Sequence, residues 1–526
     1  MQKRSNHTHS NNIRIGSKAV HTASLVFVGK FISLLMLAAS FIIVVRILGP
    51  QVYGVYTLAI AVSGFFDAVG NFGISTALNK FVTEFRAFKD YTSIAQYISN
   101  GLSIVIISGI ILAALTFVTS GIFAQYSLHN INDAYVIQIA SLSIIVMMLF
   151  GAANGALIGF QSGKYITLSL ILVSLVQSSL SIILALAGYG ALSPLFGLIL
   201  AYLIGFIAEL YLIYVKHQTK LLLPRFDGIK KLFKFAFPIA GSNFMRVVVN
   251  NFALILLGAV ADAIIIGNFG VASKTGYLIS IVTDSISISL ISAFSSSMIK
   301  GNNNKTAGRM LTYAVYLTYM VGGPILVSII LFSTPLSYTA FSSTYALSPI
   351  YISIFAAGFL LGIVGMYASQ LLISANRMHE LIKYNIGVTV IELIFALLLI
   401  PTFNGIGAAI TVFMIAPLTT SILFSIPLIK SFNASFGRNR LIRVFAANFI
   451  LGVIFFLINY VPGYFIQKLI VAPFIIMLVY PPILGLLNGI TKEDAITIRK
   501  ITSQFPIISH FFKFAISYAM KFAQNY

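Results

Sequence analysis

Long apolar runs, joined by short polar connections, leave this chain little choice of fold. A membrane-spanning helix needs about 20 mostly apolar residues. Runs of that kind fall near 22–48, 52–79, 98–119, 133–158, 164–188, 193–215, 232–260, 262–298, 308–332, 345–374, 381–401, 404–430, 441–461 and 464–489. Of the 526 residues 59% are hydrophobic and only 9% are charged, where a soluble domain carries about 25% charged residues. The expectation is an all-α polytopic membrane protein with about 14 transmembrane helices, which excludes a soluble enzyme held by one anchor. The absence of cysteine excludes disulfides, thiol nucleophiles and thiolate metal sites.

The net charge of +21 would suggest nucleic acid in a soluble protein, but its placement says otherwise. Of the 33 Lys and Arg, all but Lys30, Arg46, Arg246, Lys274 and Lys468 fall in the two tails and the even-numbered connections. Positive loops stay on the cytoplasmic side, so the chain reads as a multi-pass protein of the cell membrane with both termini cytoplasmic. In 507–526, His510, Lys513, Ser517, Lys521 and Gln524 recur at steps of three and four, the spacing of a cationic helix lying on the inner leaflet.

Weak internal self-similarity accompanies these spans. Gly54-Val55-Tyr56-Thr57-Leu58-Ala59 recurs as Gly267-Asn268-Phe269-Gly270-Val271-Ala272, and Leu157-Ile158 with Gln161 and Gln177 recurs as Leu372-Ile373 with Asn376 and Glu392. The two matches share nearly the same offset, and that offset covers six helices. An even number preserves orientation, which predicts two parallel six-helix bundles facing a shared cavity. The predicted organisation is a cytoplasmic tail (1–21), a first bundle (22–215), a cytoplasmic linker (216–231), a second bundle (232–430), two further C-terminal helices (431–489) and a cytoplasmic tail with the interfacial helix (490–526).

Nothing in the sequence supplies nucleotide or metal chemistry. Gly159-Phe160-Gln161-Ser162-Gly163-Lys164-Tyr165 is one residue short of a phosphate loop and lacks the hydroxyl after its lysine, and His379-Glu380 lacks the second histidine of a metalloprotease helix. No catalytic residue, cofactor or metal is therefore called for. The informative groups are ionisable residues inside the spans, each costing about 2.5 to 3.5 kcal/mol at a helix centre. Arg246 and Lys274 lie about fourteen and about twelve residues into their helices, near the midplane at 1.5 Å per residue, and Lys30 lies about eight residues in. Such cations suit a desolvated phosphate. Asp67, Asp284 and Glu392 are candidates for ion coupling or charge pairing. Asn71, Gln177, Asn243, Asn250 and Asn251 can contact sugar hydroxyls, or simply join helices.

At these residues a family resemblance emerges. RILGPQVYGVY (Arg46 to Tyr56), FPIAGSNF (Phe237 to Phe244) with GNFGVASK (Gly267 to Lys274), and IPTFNGIGAAI (Ile400 to Ile410) resemble signatures of the Wzx-type flippases, within the multidrug/oligosaccharidyl-lipid/polysaccharide (MOP) exporter superfamily. The resemblance implies a two-lobed transporter moving a polyprenyl- or dolichyl-(pyro)phosphate-linked oligosaccharide to the outer leaflet. It also implies a cationic cavity, which Lys30, Arg246 and Lys274 match. Its partners would be the lipid-linked cargo, membrane lipids and glycan polymerase or glycosyltransferases, with no nucleic acid. Asn250 and Asn251 depart from type, standing where many members carry an acid. The rival readings are a multidrug exporter of the same superfamily, a membrane-embedded glycosyltransferase, which would carry paired carboxylates on an outer loop, and a non-transporting scaffold.

Overall fold

The computed structural model describes residues 2–70, 73–219, 222–276, 304–434, 438–496 and 506–523. Among them every regular element is helical. The elements are α1 (Gln2–Gly70), α2 (Ile74–Ala87), α3 (Tyr91–Ser127), α4 (Ala134–Gly159), α5 (Gly163–Leu186), α6 (Leu192–His217), α7 (Phe226–Val260) and α8 (263–276), then α9 (Asn304–Leu331), α10 (Ser333–Phe341), α11 (Ser348–Ser374), α12 (Met378–Ala409), α13 (Ala416–Phe432), α14 (Arg438–Asn459), α15 (Phe465–Leu478), α16 (Tyr480–Leu486), α17 (492–496) and α18 (Pro506–Phe522).

Ten segments among the described residues are long and apolar enough to cross a membrane. Two of these, Gly29–Ala68 and Met378–Phe432, are long enough for two crossings and carry a break. In the first, Gly49 adopts φ 70° and ψ 170° immediately before Pro50, so the two predicted spans run into one kinked helix. In the second, Asn404 leaves helical geometry at φ 48° and ψ −126°, three residues after Pro401. A π-helical turn, Ile410–Ile415, follows. It brings the Phe413 carbonyl against α11 at Gly358, where a built Cβ would stand 1.6 Å from that oxygen. The predicted 52–79 span is not continuous, since α1 ends at Gly70 and α2 starts after Gly73, which is left-handed at φ 70°.

By packing, the chain divides into Met1–Gly267 and Asn268–Tyr526. In the first unit a core of Ile74, Leu78, Val82, Ile98, Ala152, Ala156, Leu157, Ile213 and Leu232 joins α2, α3, α4, α6 and α7. In the second, Leu311, Val315, Tyr367, Leu371, Phe424, Leu428, Val444 and Phe455 join α9, α11, α13 and α14, and Ile516 and Ala519 bring α18 into the same core. α18 runs through the amphipathic C-terminal segment, with Lys513, Ser517 and Lys521 exposed.

The duplication is legible in the backbone. Gln161 and Asn376, which the second sequence match pairs, are both left-handed, at φ 54° and 56°. Each closes its helix with the same pair of bonds: Gln161 N–H to Ile158 C=O with Ser162 N–H to Leu157 C=O, and Asn376 N–H to Ile373 C=O with Arg377 N–H to Leu372 C=O. This is the Schellman closure, which satisfies carbonyls that a helix end would otherwise leave unpaired. Gln218 and Asn433, related by the same offset, are left-handed as well. So are His129 and Ser342, which follow the slightly shorter offset of the Gly54 and Gly267 match. The change of offset locates a short insertion between 342 and 376.

The segment after α6 is fastened down. The Leu222 N–H donates to Ser99 Oγ and the Arg225 N–H to Asn100 Oδ1, both at 2.8 Å, while Gln96 Nε2 donates to the Leu223 carbonyl at 2.7 Å. Asn100 is fully buried on α3. Asn100→Leu is expected to lower stability by about 1 kcal/mol, the net worth of the hydrogen bond lost from the Arg225 N–H, read as a lower thermal midpoint in detergent.

Candidate functional site

The predicted site residues fall on both units. In the first, Lys30 emerges from α1 as an exposed cation in an apolar surround. Arg246 and Asn243 stand on α7, and their side chains lie outside the described residues, as do Asn71 and Asp284 entirely. Asn250 is exposed on α7 and Asn251 half-buried. The Asn251 amide lies against Gly64 of α1, 3.1 Å from where a Cβ would be. One turn further along α1 is Asp67, whose buried Oδ1 has no hydrogen-bond partner among the described residues. Asp67 takes part in none of the described ion pairs, and it acts electrostatically on Tyr202 of α6. Gln177 is half-buried on α5.

In the second unit Lys274 is exposed on α8. The signature around it has structural duties. Asn268, 1% exposed, accepts the Leu347 and Ser348 N–H groups at 3.1 and 2.9 Å, capping the start of α11 from a neighbouring helix. Phe269 stacks on Phe413 of the π-helical turn with centroids 4.8 Å apart. Glu392, 3% exposed on α12, occupies the repeat position of Gln177.

One buried acid escapes the sequence reading. Glu209 lies on α6, two turns before its end, and is fully buried. Asn154 Nδ2 of α4 donates to its Oε1 at 2.8 Å, and the Ser169 hydroxyl of α5 faces the same carboxyl. The signal that could have found it is the i, i+4 rhythm of α6: Gly197, Ala201 and Gly205 are the small residues through which α6 meets α5 and α4, and Glu209 is the next position on that face.

At the end of α6, His217 stacks on Phe160 at 3.9 Å and shares a 2.9 Å hydrogen bond with Ser162, tying the α4–α5 turn to α6. The equivalent positions of the second repeat make the tie with different chemistry: Arg377 lies 5.5 Å from the ring of Phe432. Among the described residues no group of His, Asp and Glu is arranged to hold a metal.

A model of the polysaccharide biosynthesis protein family matches residues 20–298. Over 117 residues the chain is 25% identical to the lipid II flippase MurJ of Bacillus subtilis (strain 168), a stretch amounting to 21% of this chain and 20% of that protein. The matched region thus spans a fifth of the relative's length. Among solved structures, lipid II flippase MurJ in an inward closed conformation superposes with a TM-score of 0.69 at 16% identity, covering 88% of this chain and 98% of that one. An inward-facing multidrug resistance MATE family transporter of the MOP superfamily gives 0.66 at 15% identity, covering 79% and 96%. These two likenesses concern the fold.

Proposed function

The chain belongs to the polysaccharide biosynthesis protein family, and from that premise we propose that it is a flippase, not an enzyme. Its cargo is a polyprenyl- or dolichyl-(pyro)phosphate-linked oligosaccharide, carried from the cytoplasmic to the outer leaflet of the cell membrane by alternating access. The observation that carries this reading is three cations, Lys30, Arg246 and Lys274, in apolar runs that the sequence reads as membrane spans and that hold few other charges, Arg46, Asp67, Glu209, Asp284 and Glu392 among them. A cation kept at membrane depth against an insertion cost of about 2.5 to 3.5 kcal/mol needs an anionic partner or water. The phosphate of a lipid carrier supplies the anion, and asparagines on the same helices offer hydrogen bonds to sugars. Both termini face the cytoplasm in this reading, and the chain works beside the glycosyltransferases and polymerase that make and consume its cargo. The segments 22–215 and 232–430 act as the two halves of the carrier.

The test is mass spectrometry of lipid extracts from cells lacking the protein. A lipid-linked oligosaccharide is expected to accumulate, to be cleared by the wild type and to persist with Arg246→Ala/Lys274→Ala. Each charged hydrogen bond lost is expected to slow clearance roughly ten- to hundredfold. A drug exporter holding cationic substrates would tolerate Lys274→Ala and accumulate no such lipid.

A further inference from the structure

The two repeats differ at one buried place. In the first, Asn154, Ser169 and Glu209 converge from α4, α5 and α6. The equivalent residues of the second are Ser369, Tyr384 and Phe424. There Phe424, fully buried, meets the Tyr384 ring with centroids 5.5 Å apart, and Ser369 bonds back to its own helix at the Met366 carbonyl. The same three-helix junction is therefore filled by an aromatic pair in one half and by a carboxyl group in the other. Helix packing alone does not require the acid, because the duplicated copy packs without it.

The carboxyl group also has no cation beside it among the described ion pairs to balance it as an anion. Its described neighbours are neutral: Oε1 accepts from Asn154, and the Ser169 hydroxyl stands beside the buried Oε2. The ionisable side chains on the two packed helices nearest the site are Tyr165, one turn from Ser169, and the exposed Lys164 on α5, and on α6 Tyr202 and His217, about two turns to either side, with the exposed Tyr211, Tyr214 and Lys216 between Glu209 and His217. On α4 only Tyr135 is ionisable, and the carboxyl group of α1, Asp67, is close enough to Tyr202 to act on it electrostatically. A carboxylic acid satisfies this inventory without a buried charge: Oε1 accepts from the amide and Oε2–H donates to Ser169. A metal cation would need several more oxygens than the two left free here.

We propose that Glu209, with Asn154 and Ser169, is a buried proton-binding site, and that loading and release of this proton couple to the transport cycle. The coupling rests on the flippase reading; the proton binding does not. The step is a protonation of Oε2, in which the hydrogen bond with Ser169 reverses, the hydroxyl donating to the carboxylate before and accepting from Oε2–H after, and release returns the proton to water when the helices part.

Infrared difference spectroscopy on the purified full-length chain in lipid nanodiscs tests the binding. As pH falls from about 8 to about 5, a carbonyl stretch of a protonated, water-shielded carboxylic acid is expected to grow in and to move on exchange into deuterium oxide. Glu209→Gln keeps an acceptor for Asn154 and is expected to lose the band; Ser169→Ala keeps the acid and is expected to shift both band and midpoint. A spectrum in which Glu209→Gln matches the wild type overturns the site. So does a band that sodium chloride removes at constant pH while choline chloride does not, because the occupant is then a metal cation. Lipid extracts separate the two readings. If Arg246→Ala/Lys274→Ala accumulates a lipid-linked oligosaccharide and Glu209→Gln clears it at the wild-type rate at every external pH, the coupling is overturned and the flippase reading survives. If no strain accumulates it, the flippase reading and the coupling fall together, and the infrared band alone decides the proton site.

Discussion

Gly54→Ala and Gly267→Ala are each expected to destabilise the protein by about 1 to 3 kcal/mol, the usual cost of overpacking, and more if the backbone does not yield. A Cβ at Gly54 would stand 1.8 Å from the carbonyl oxygen of Ala263, and a Cβ at Gly267 would stand 2.0 Å from that of Pro50. Both obstacles are backbone atoms, so no side-chain rotation relieves them. The contact is reciprocal under the duplication: positions 50 and 263 are equivalent, as are 54 and 267, both pairs related by one and the same offset. The start of the second span in one repeat and of its copy in the other thus meet through the same glycine, used twice. Lipid offers no hydrophobic drive for helix association, so helices in a bilayer hold together through such close approaches of small residues. Because both substitutions open the same contact, the double variant is expected to cost less than the sum of the singles. Gly151→Ala is the control: nothing lies within 4 Å of its Cβ, so the alanine should be neutral or mildly stabilising in α4. Thermal midpoints in detergent and yield in the membrane fraction read all four variants. Equal midpoints for Gly54→Ala and Gly151→Ala would sink the argument.

What the sequence displays of this architecture is what repeats or is apolar. The spans are legible because a bilayer demands about 20 apolar residues, and the breaks at Gly49-Pro50 and Asn404 are legible because Pro and left-handed residues interrupt a helix. The Gln161 and Asn376 match gains its meaning only with the backbone, since nothing in a glutamine announces the left-handed closure it shares with its asparagine counterpart in the second repeat. Lys30 and Lys274 stand out as cations in apolar helices, and both side chains keep accessible surface in the structure. Glu209 is hidden by its place near the end of a span, where an acid reads as interfacial. It is buried because three helices, not one, define that depth. The left-handed Gly73 is hidden for a related reason: the residues around it are apolar enough to pass for one helix.

The remaining large effect is expected where the helices outside the duplication join the second unit. Asp494 of α17 is fully buried and accepts from the Thr491 N–H and hydroxyl, both at 2.8 Å, and from the Arg440 guanidinium of α14. Thr491 and Asp494 thus close the start of α17 as a capping pair. Arg440 also donates to the Thr491 hydroxyl at 3.1 Å and lies 4.1 Å from the ring centroid of Tyr316 on α9, whose hydroxyl donates to the Gly489 carbonyl. One guanidinium therefore ties α9, α14 and the turn after α16. Arg440 and Asp494 are far apart in the chain, on different helices, which is why no local pattern announces them. Removing one partner of a buried pair costs about 3 to 5 kcal/mol because the other is left uncompensated. Arg440 keeps 37% of its side chain exposed, so water screens part of the stranded charge in Asp494→Ala. Arg440→Ala strands the fully buried carboxylate instead and is expected to be the worse of the two. Asp494→Asn keeps acceptors for the Thr491 groups and should fall between wild type and Asp494→Ala. Limited proteolysis after α16, read alongside the thermal midpoint, is expected to rank the variants in that order. A double variant, Arg440→Ala/Asp494→Ala, no less stable than Arg440→Ala would show that the stranded charge, not the lost contact, sets the cost.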